Sequence, residues 1–312
     1  MLYDDFFSAQ RHRGHRGNTE IMKEYLRLVR GEQWAKNLFI FLPLFFNAEV
    51  TKTLQLGLCL LCFAGFSLVA SSVYCLNDVI DVAEDRKHPE KSKRPVASGR
   101  ISKRAAVTLA ILLFCGGMAV VLISRLPANV VFVILIYYFL NLAYIYALKH
   151  IAILDILCIA FGFVLRVVSG GFATGITLSH WIVLMTFLLA SFLACAKRRD
   201  DVLHYMNEQV VTRKNVTRYN TAFLNVMMSL TATITILCYI MYTVDKEVIE
   251  RFNGNPYIYV TSIFVIAGIL RYLQIAMVEG SSGNPTRIFL KDRFIQCCIL
   301  GWILAFVFII YV

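Results

Sequence analysis

Asn77-Asp78-Val79-Ile80-Asp81-Val82-Ala83-Glu84-Asp85 closes an apolar stretch of membrane-spanning length, and its aspartates recur at helical spacing. At about 100° per residue, Asp78, Asp81 and Asp85 fall within about 60° of one another around a helix. Their charges therefore converge at the mouth of a membrane-embedded core, which is the outline of a metal–diphosphate site. Directly downstream, Arg86-Lys87-His88-Pro89-Glu90-Lys91-Ser92-Lys93-Arg94-Pro95 is a basic loop broken by two prolines. A polyanion can be held there between a divalent metal and cationic side chains.

The surrounding chain has the composition of a lipid-embedded protein: 58% of its 312 residues are hydrophobic and the mean hydropathy is +0.65, far above ordinary soluble domains. A helix needs about 20 predominantly apolar residues to cross the hydrocarbon core. Nine stretches qualify as candidates: 34–47, 54–76, 105–124, 128–147, 151–172, 179–196, 219–243, 257–277 and 293–312. The first is short, aromatic-rich and polar at its start. No linker or composition shift separates them, so the expectation is a single all-α membrane domain over 1–312, with a polar, basic N-terminal segment at 1–20. That segment carries Arg11-His12-Arg13 and has no apolar core before a small-residue cleavage site, so no removed signal peptide is expected.

Orientation follows from the loops, because short cytoplasmic loops carry excess Lys and Arg. Of the 31 basic residues, 25 fall on the side of the N-terminus and the acidic motif. The other side holds only Lys52, Arg125, Lys246 and Arg251, with Arg166 and Arg271 inside spans. This one-sidedness supports nine crossings in a plasma (inner) membrane, with the N-terminus and the carboxylates facing the cytoplasm. It also accounts for the net charge of +11 without a nucleic-acid partner, and a surface this basic suits anionic lipid head groups. The nine cysteines lie mostly in apolar segments and are expected to be free thiols. Cys59-Leu60-Leu61-Cys62 lacks a second ligand pair and reads as packing.

The N-D-x-x-D-x-x-x-D pattern at Asn77, Asp78, Asp81 and Asp85, ending the second of nine spans, resembles the first aspartate-rich motif of the UbiA superfamily of membrane prenyltransferases. The resemblance implies a nine-helix bundle around a central cavity, Mg²⁺ bridging the carboxylates to a diphosphate, and a lipid chain in a lateral opening. Further pieces resemble one branch, the polyprenyl-phosphate phosphoribosyltransferases. They are Gln33-Trp34-Ala35-Lys36-Asn37-Leu38, Asp85-Arg86-Lys87-His88-Pro89, Lys93-Arg94-Pro95, Leu148-Lys149-His150, Leu154-Asp155 and Gly162-Phe163-Val164-Leu165-Arg166. Gly170-Gly171, Lys197-Arg198, Gly283-Asn284-Pro285-Thr286 and Lys291-Asp292-Arg293 complete the set. A departure points the same way. Members using prenyl diphosphates usually carry a second D-x-x-x-D motif after the sixth helix, whereas here Asp200-Asp201 is followed by His204 and Tyr205.

That branch implies transfer of phosphoribose from phosphoribosyl diphosphate (PRPP) to a polyprenyl phosphate for cell-envelope glycan synthesis. Asp78, Asp81 and Asp85 are the expected Mg²⁺ ligands and catalytic carboxylates, since hard Mg²⁺ prefers carboxylate and phosphate oxygens. Asn77 is expected to orient a carboxylate or bond a phosphate, and Asn37 to meet substrate. Lys36, Lys87, Arg94, Lys149, Lys197 and Arg198 are the expected phosphate contacts, Lys as a point charge and Arg as a bidentate fork. Asp155, Gly162, Arg166 and Gly170 share one helical face, expected to point inward because a charge within a membrane span faces a cavity or partner. Arg166 lies about 16 Å along the helix from Asp155, too far for an ion pair. Two other readings stay open, an aromatic prenyltransferase using a polyprenyl diphosphate and a transporter or channel. The oligomeric state is also open, a homo-oligomer included.

Overall fold

The computed structural model describes residues 22–88, 90–208, 218–252, 254–280 and 285–311. Among them there is no strand. The α-helices are α1 (22–29), α2 (Leu42–Phe46), α3 (Thr53–Ile80), α4 (Val82–Asp85), α5 (Lys103–Ile123), α6 (Ala128–Tyr146) and α7 (Leu154–Thr174). They continue with α8 (His180–Glu208), α9 (Thr221–Val244), α10 (Lys246–Arg251), α11 (Ser262–Met277), α12 (Pro285–Lys291) and α13 (Arg293–Tyr311). Several starts are set by side chains that accept orphan amide protons. Ser102 accepts from Ala105 N and Asn220 from Phe223 N, while Asp245 accepts from Glu247 N and Val248 N. Gly175, at φ 73°, ends α7 in the left-handed conformation that glycine adopts without steric cost.

Seven helices have the length and apolarity to cross a membrane: α3, α5, α6, α7, α8 up to Met206, α9, and the run Pro256–Met277 that ends in α11. The expectation of nine meets two different elements at the ends of the chain. One is α13, which has 19 residues, as many as α6, and is apolar over Arg293–Ile309. The 34–47 candidate is a 3₁₀-helix, Gly31–Phe41, passing into α2. At about 2.0 Å per residue in 3₁₀ and 1.5 Å in α form, the two together rise about 30 Å. None of the nine cysteines forms a disulfide, as expected. The 1–20 segment, Pro89 and Gly283-Asn284 lie outside the described residues.

Where the sequence shows no boundary, the fold has two interleaved compact units. One takes the chain up to Leu38 together with Leu60–Tyr138, and the other takes Phe39–Cys59 with Phe139–Val312. In the first unit α3 and α5 cross backbone to backbone. A Cβ on Gly117 would stand 2.7 Å from Gly65 O, and one on Gly65 would stand 2.6 Å from a Val121 methyl. Small residues are what allow membrane helices to approach this closely. Leu28, Cys75, Val82, Val96 and Ala106 form a buried cluster beside the acidic motif.

In the second unit α7, α8 and α9 pack side by side, and α11 packs on α9 and α13. Gly170 of α7 receives the 3₁₀ segment, since a Cβ there would fall 1.9 Å from Ile40 O. Phe45, Phe46 and Trp302 join a second buried cluster around Tyr242, Phe252 and Phe306.

Candidate active site

The acidic motif straddles a helix break. α3 ends at Ile80 and α4 begins at Val82, yet Asp81 N still bonds Asn77 O (2.9 Å) and Asp85 N bonds Asp81 O (2.8 Å). The helical pitch therefore survives, and Asp78 and Asp85 face the same way. Both are buried, at 1% and 4% exposure, where an unpaired carboxylate would be costly. Their charge is met by two arginines. Arg94 Nη1 donates to Asp85 Oδ2 (2.7 Å) and to Asp78 Oδ1 (3.3 Å), and Arg30 Nη2 donates to the same Asp78 oxygen. Two carboxylate oxygens thus converge on a single cationic nitrogen.

Asn77 and Asp81 are half-buried and Lys87 is exposed. Among the described residues no three His, Cys, Asp or Glu side chains are grouped to hold one metal ion in this conformation. The donor set nonetheless suits Mg²⁺, which is typically bound by one or two protein carboxylates plus substrate phosphates and water rather than by an all-protein cage. A guanidinium nitrogen already stands where the two carboxylates focus their negative charge.

The 3₁₀-helix sets the other wall of this unit's site. Its residues i and i+3 eclipse, so Trp34 and Asn37 fall on one side. Trp34 Nε1 donates to Ser71 Oγ (2.9 Å) and Asn37 Nδ2 to Ser67 Oγ (2.8 Å), one helical turn apart on α3. This antiparallel zipper leads to Arg30, which also lies over the Tyr74 ring at 5.3 Å. Asn37 is thereby buried against α3, and Lys36 beside it is half-buried. The basic loop is fastened by Arg86 Nε to Ala97 O (3.0 Å). His88 caps the turn after it by accepting from Glu90 N and Lys91 N. Burial, helped by the Lys91 ammonium, pushes the His88 pKa below its ordinary value.

The second unit holds a separate charged hub. Asp155, fully buried at the start of α7, pairs with Arg198 of α8 and accepts from the Tyr219 hydroxyl at 2.6 Å. Arg198 Nη1 reaches Asp201 (3.0 Å) and Nη2 the Tyr144 hydroxyl (3.3 Å). The expected phosphate contact at Arg198 is thus, in this structure, a buried ion-pair centre at 1% exposure. Tyr219 also accepts from Ile153 N at 2.6 Å, where Ile153 sits at φ 73°, a costly conformation for a β-branched residue. This link fixes the turn that carries the half-buried Lys149.

Asp155, Gly162, Arg166 and Gly170 are all buried on α7. Arg166 donates to Gly162 O (2.6 Å) and lies over the Phe163 ring at 5.2 Å. Lys197 is exposed. Asp292 caps α13 and accepts from Arg271 Nη2 (2.7 Å), which holds its carboxyl below the usual range. Sequence reasoning missed Arg30 and Tyr219. The one was counted only as a loop charge, and the other adjoins a polar stretch without a motif.

Residues 38–298 match the UbiA prenyltransferase family. A decaprenyl-phosphate phosphoribosyltransferase from Mycolicibacterium smegmatis is 33% identical, with 89% of each chain covered. The protein of the same name from Mycobacterium tuberculosis is 31% identical, covering 89% of this chain and 91% of that one. The structure of a UbiA homolog from Archaeoglobus fulgidus bound to DMAPP and Mg²⁺ superposes with a TM-score of 0.68 at 20% identity. That match covers 93% of this chain and 99% of the homolog. With its run of membrane-length helices and an aspartate-rich motif at the end of one of them, the chain belongs to the UbiA prenyltransferase family of multi-pass membrane transferases.

Proposed function

We propose that this protein transfers 5-phosphoribose from PRPP to a polyprenyl phosphate, releasing diphosphate, at a Mg²⁺-dependent site on the cytoplasmic face of a nine-span bundle. The observation that carries the site is the convergence of buried Asp78 and Asp85 on one cationic nitrogen. The choice of donor is supported by the names of relatives that align along most of the chain and by the lack of a second D-x-x-x-D motif.

Asp78 and Asp85, with Asp81 directly or through water, would hold Mg²⁺, which when bound neutralises charge on the departing diphosphate. Arg30 and Arg94 balance the buried carboxylates and retain further N–H donors for phosphate oxygens. Lys36 and Lys87 add point charge in the same unit. PRPP carries a 5-phosphate that does not react. Some of these cations bind it as a remote handle, and that binding energy positions the sugar. The acceptor phosphate is already an anion, so its oxygen attacks the anomeric carbon without a strong general base. The carbon–oxygen bond to diphosphate breaks as the new one forms, with inversion from the α-diphosphate to a β-linked product. The protein's contribution is positioning and electrostatic stabilisation.

The test is a purified-protein assay with radiolabelled PRPP, a polyprenyl phosphate and Mg²⁺. Label should move into the lipid fraction, stop on addition of EDTA, and be lost in Asp78→Asn and Asp85→Asn. Robust transfer from a prenyl diphosphate to an aromatic acid, with none from PRPP, would replace this reading with the aromatic prenyltransferase.

A further inference from the structure

The buried charges of the acidic motif are already balanced within the protein. Asp78 and Asp85, both buried, carry two negative charges, and Arg30 and Arg94 return two positive ones. A divalent ion added to this set leaves two positive charges in excess in a buried place, where unpaired charge is costly. A diphosphate arriving with the ion removes that excess.

The two arginines are not held alike. Arg94 Nη1 stands 2.7 Å from Asp85 Oδ2 and 3.3 Å from Asp78 Oδ1, so an ion that takes both oxygens competes with that nitrogen for them. Arg30 bonds Asp78 alone, and its guanidinium is held from a second side by the Tyr74 ring at 5.3 Å. Arg94 touches the carboxylates through Nη1 only, and among the described residues its Nε and Nη2 make no hydrogen bond. Its backbone, in contrast, is fixed. Arg94 N donates to Lys91 O (3.0 Å) and Arg94 O accepts from Ser98 N (2.9 Å). Pro95 follows, which favours the extended backbone that Arg94 adopts at φ −63° and ψ 148°. A guanidinium released here swings on a fixed stem and stays beside the motif.

We infer that Arg94 is a stand-in for the metal: it bridges Asp78 and Asp85 until a divalent ion takes their oxygens, and the released guanidinium then turns to the diphosphate. Arg30 stays on Asp78 throughout. This rests on the Mg²⁺ site proposed above but not on the identity of the donor. Metal alone is poorly held, because it leaves the site two charges in excess. Metal and diphosphate each favour the binding of the other, and that coupling is reciprocal. The freed arginine can bond two phosphate oxygens side by side, so the cation that keeps the empty-handed carboxylates quiet becomes a clamp on the anion.

The experiment reads the arginine rather than turnover. The purified full chain is treated with phenylglyoxal, which modifies accessible guanidinium groups, and the peptides carrying Arg30 and Arg94 are quantified by mass spectrometry. Three conditions are compared: no addition, Mg²⁺, and Mg²⁺ with inorganic diphosphate. Arg94 should be modified several-fold faster with Mg²⁺ alone and be protected again once diphosphate is added, while Arg30 stays slow in all three. In a thermal-shift titration, Arg94→Met should bind Mg²⁺ alone about tenfold more tightly than wild type, and diphosphate should tighten it less. Modification of Arg94 that does not rise with Mg²⁺, a rise at Arg30 in its place, or equal Mg²⁺ affinity in Arg94→Met and wild type would overturn the inference. If Mg²⁺ shifts the melting of wild type neither alone nor with diphosphate, the proposed metal site falls and this inference with it. If Arg94 responds as expected but PRPP yields no labelled lipid, the proposed donor fails alone. If transfer from PRPP runs and stops with EDTA while Arg94 never responds to Mg²⁺, this inference fails alone.

Discussion

At the residue scale, the chain solves one problem twice, which is how to keep carboxylates buried near a membrane. Asp78 and Asp85 share Arg94, and Asp155 shares Arg198 and Tyr219. Removing one member of a buried pair strands the other, at about 3–5 kcal/mol. Asp155→Asn should therefore destabilise the folded protein by that order, measured by unfolding in detergent. Tyr219→Phe, which gives up bonds to Asp155 and to the Ile153 amide, should cost about 1–3 kcal/mol. If Asp155→Asn unfolds like wild type, Arg198 has another way to satisfy its charge and the hub is not what holds this turn. The carboxylates of the acidic motif were legible in the sequence because helical pitch alone brings 78, 81 and 85 to one side. Arg30 and Tyr219 were not. Each reaches its aspartate across 48 or 64 residues of chain, and no local pattern encodes such a distance.

At the scale of the element, hydropathy read the long helices well. Seven of the nine expected spans are helices of crossing length and composition, because an apolar run of that length in lipid can satisfy its backbone only as a helix. The first span differed in pitch. A short apolar stretch fits 3.0 residues per turn as readily as 3.6, and what selects the 3₁₀ form here is the pairing of Trp34 and Asn37 with Ser71 and Ser67. Adjacent glycines on α5 give an internal control for how tightly such elements pack. Gly116 has no neighbour within 4 Å of an added Cβ, whereas Gly117 would meet Gly65 O at 2.7 Å and a Val69 methyl at 2.8 Å. Gly116→Ala should leave the melting temperature unchanged or raise it, by about 0.4–1 kcal/mol of stability. Gly117→Ala should lower it clearly. Equal effects would mean that α3 and α5 do not cross at this point.

For the whole molecule, the charge asymmetry of the loops makes a topological prediction that depends on neither end of the chain. Between residues 90 and 250 lie five of the crossing helices, α5 to α9, an odd number. In a background without native cysteines, Glu90→Cys should label only from the cytoplasm and Glu250→Cys only from outside. Labelling of both from one side would break this topology. The length of α3 carries a final consequence. Its 28 residues rise about 42 Å, and about 39 Å even at a 20° tilt, against about 30 Å of hydrocarbon. With α3 centred in the hydrocarbon, Asp78, two residues from its end, falls at the depth of the lipid head groups, the layer in which the phosphate of a membrane-borne polyprenol floats. On the proposed reading the acceptor never has to be lifted from the bilayer. It diffuses in sideways at the right height, and only the water-soluble sugar donor has to travel to meet it.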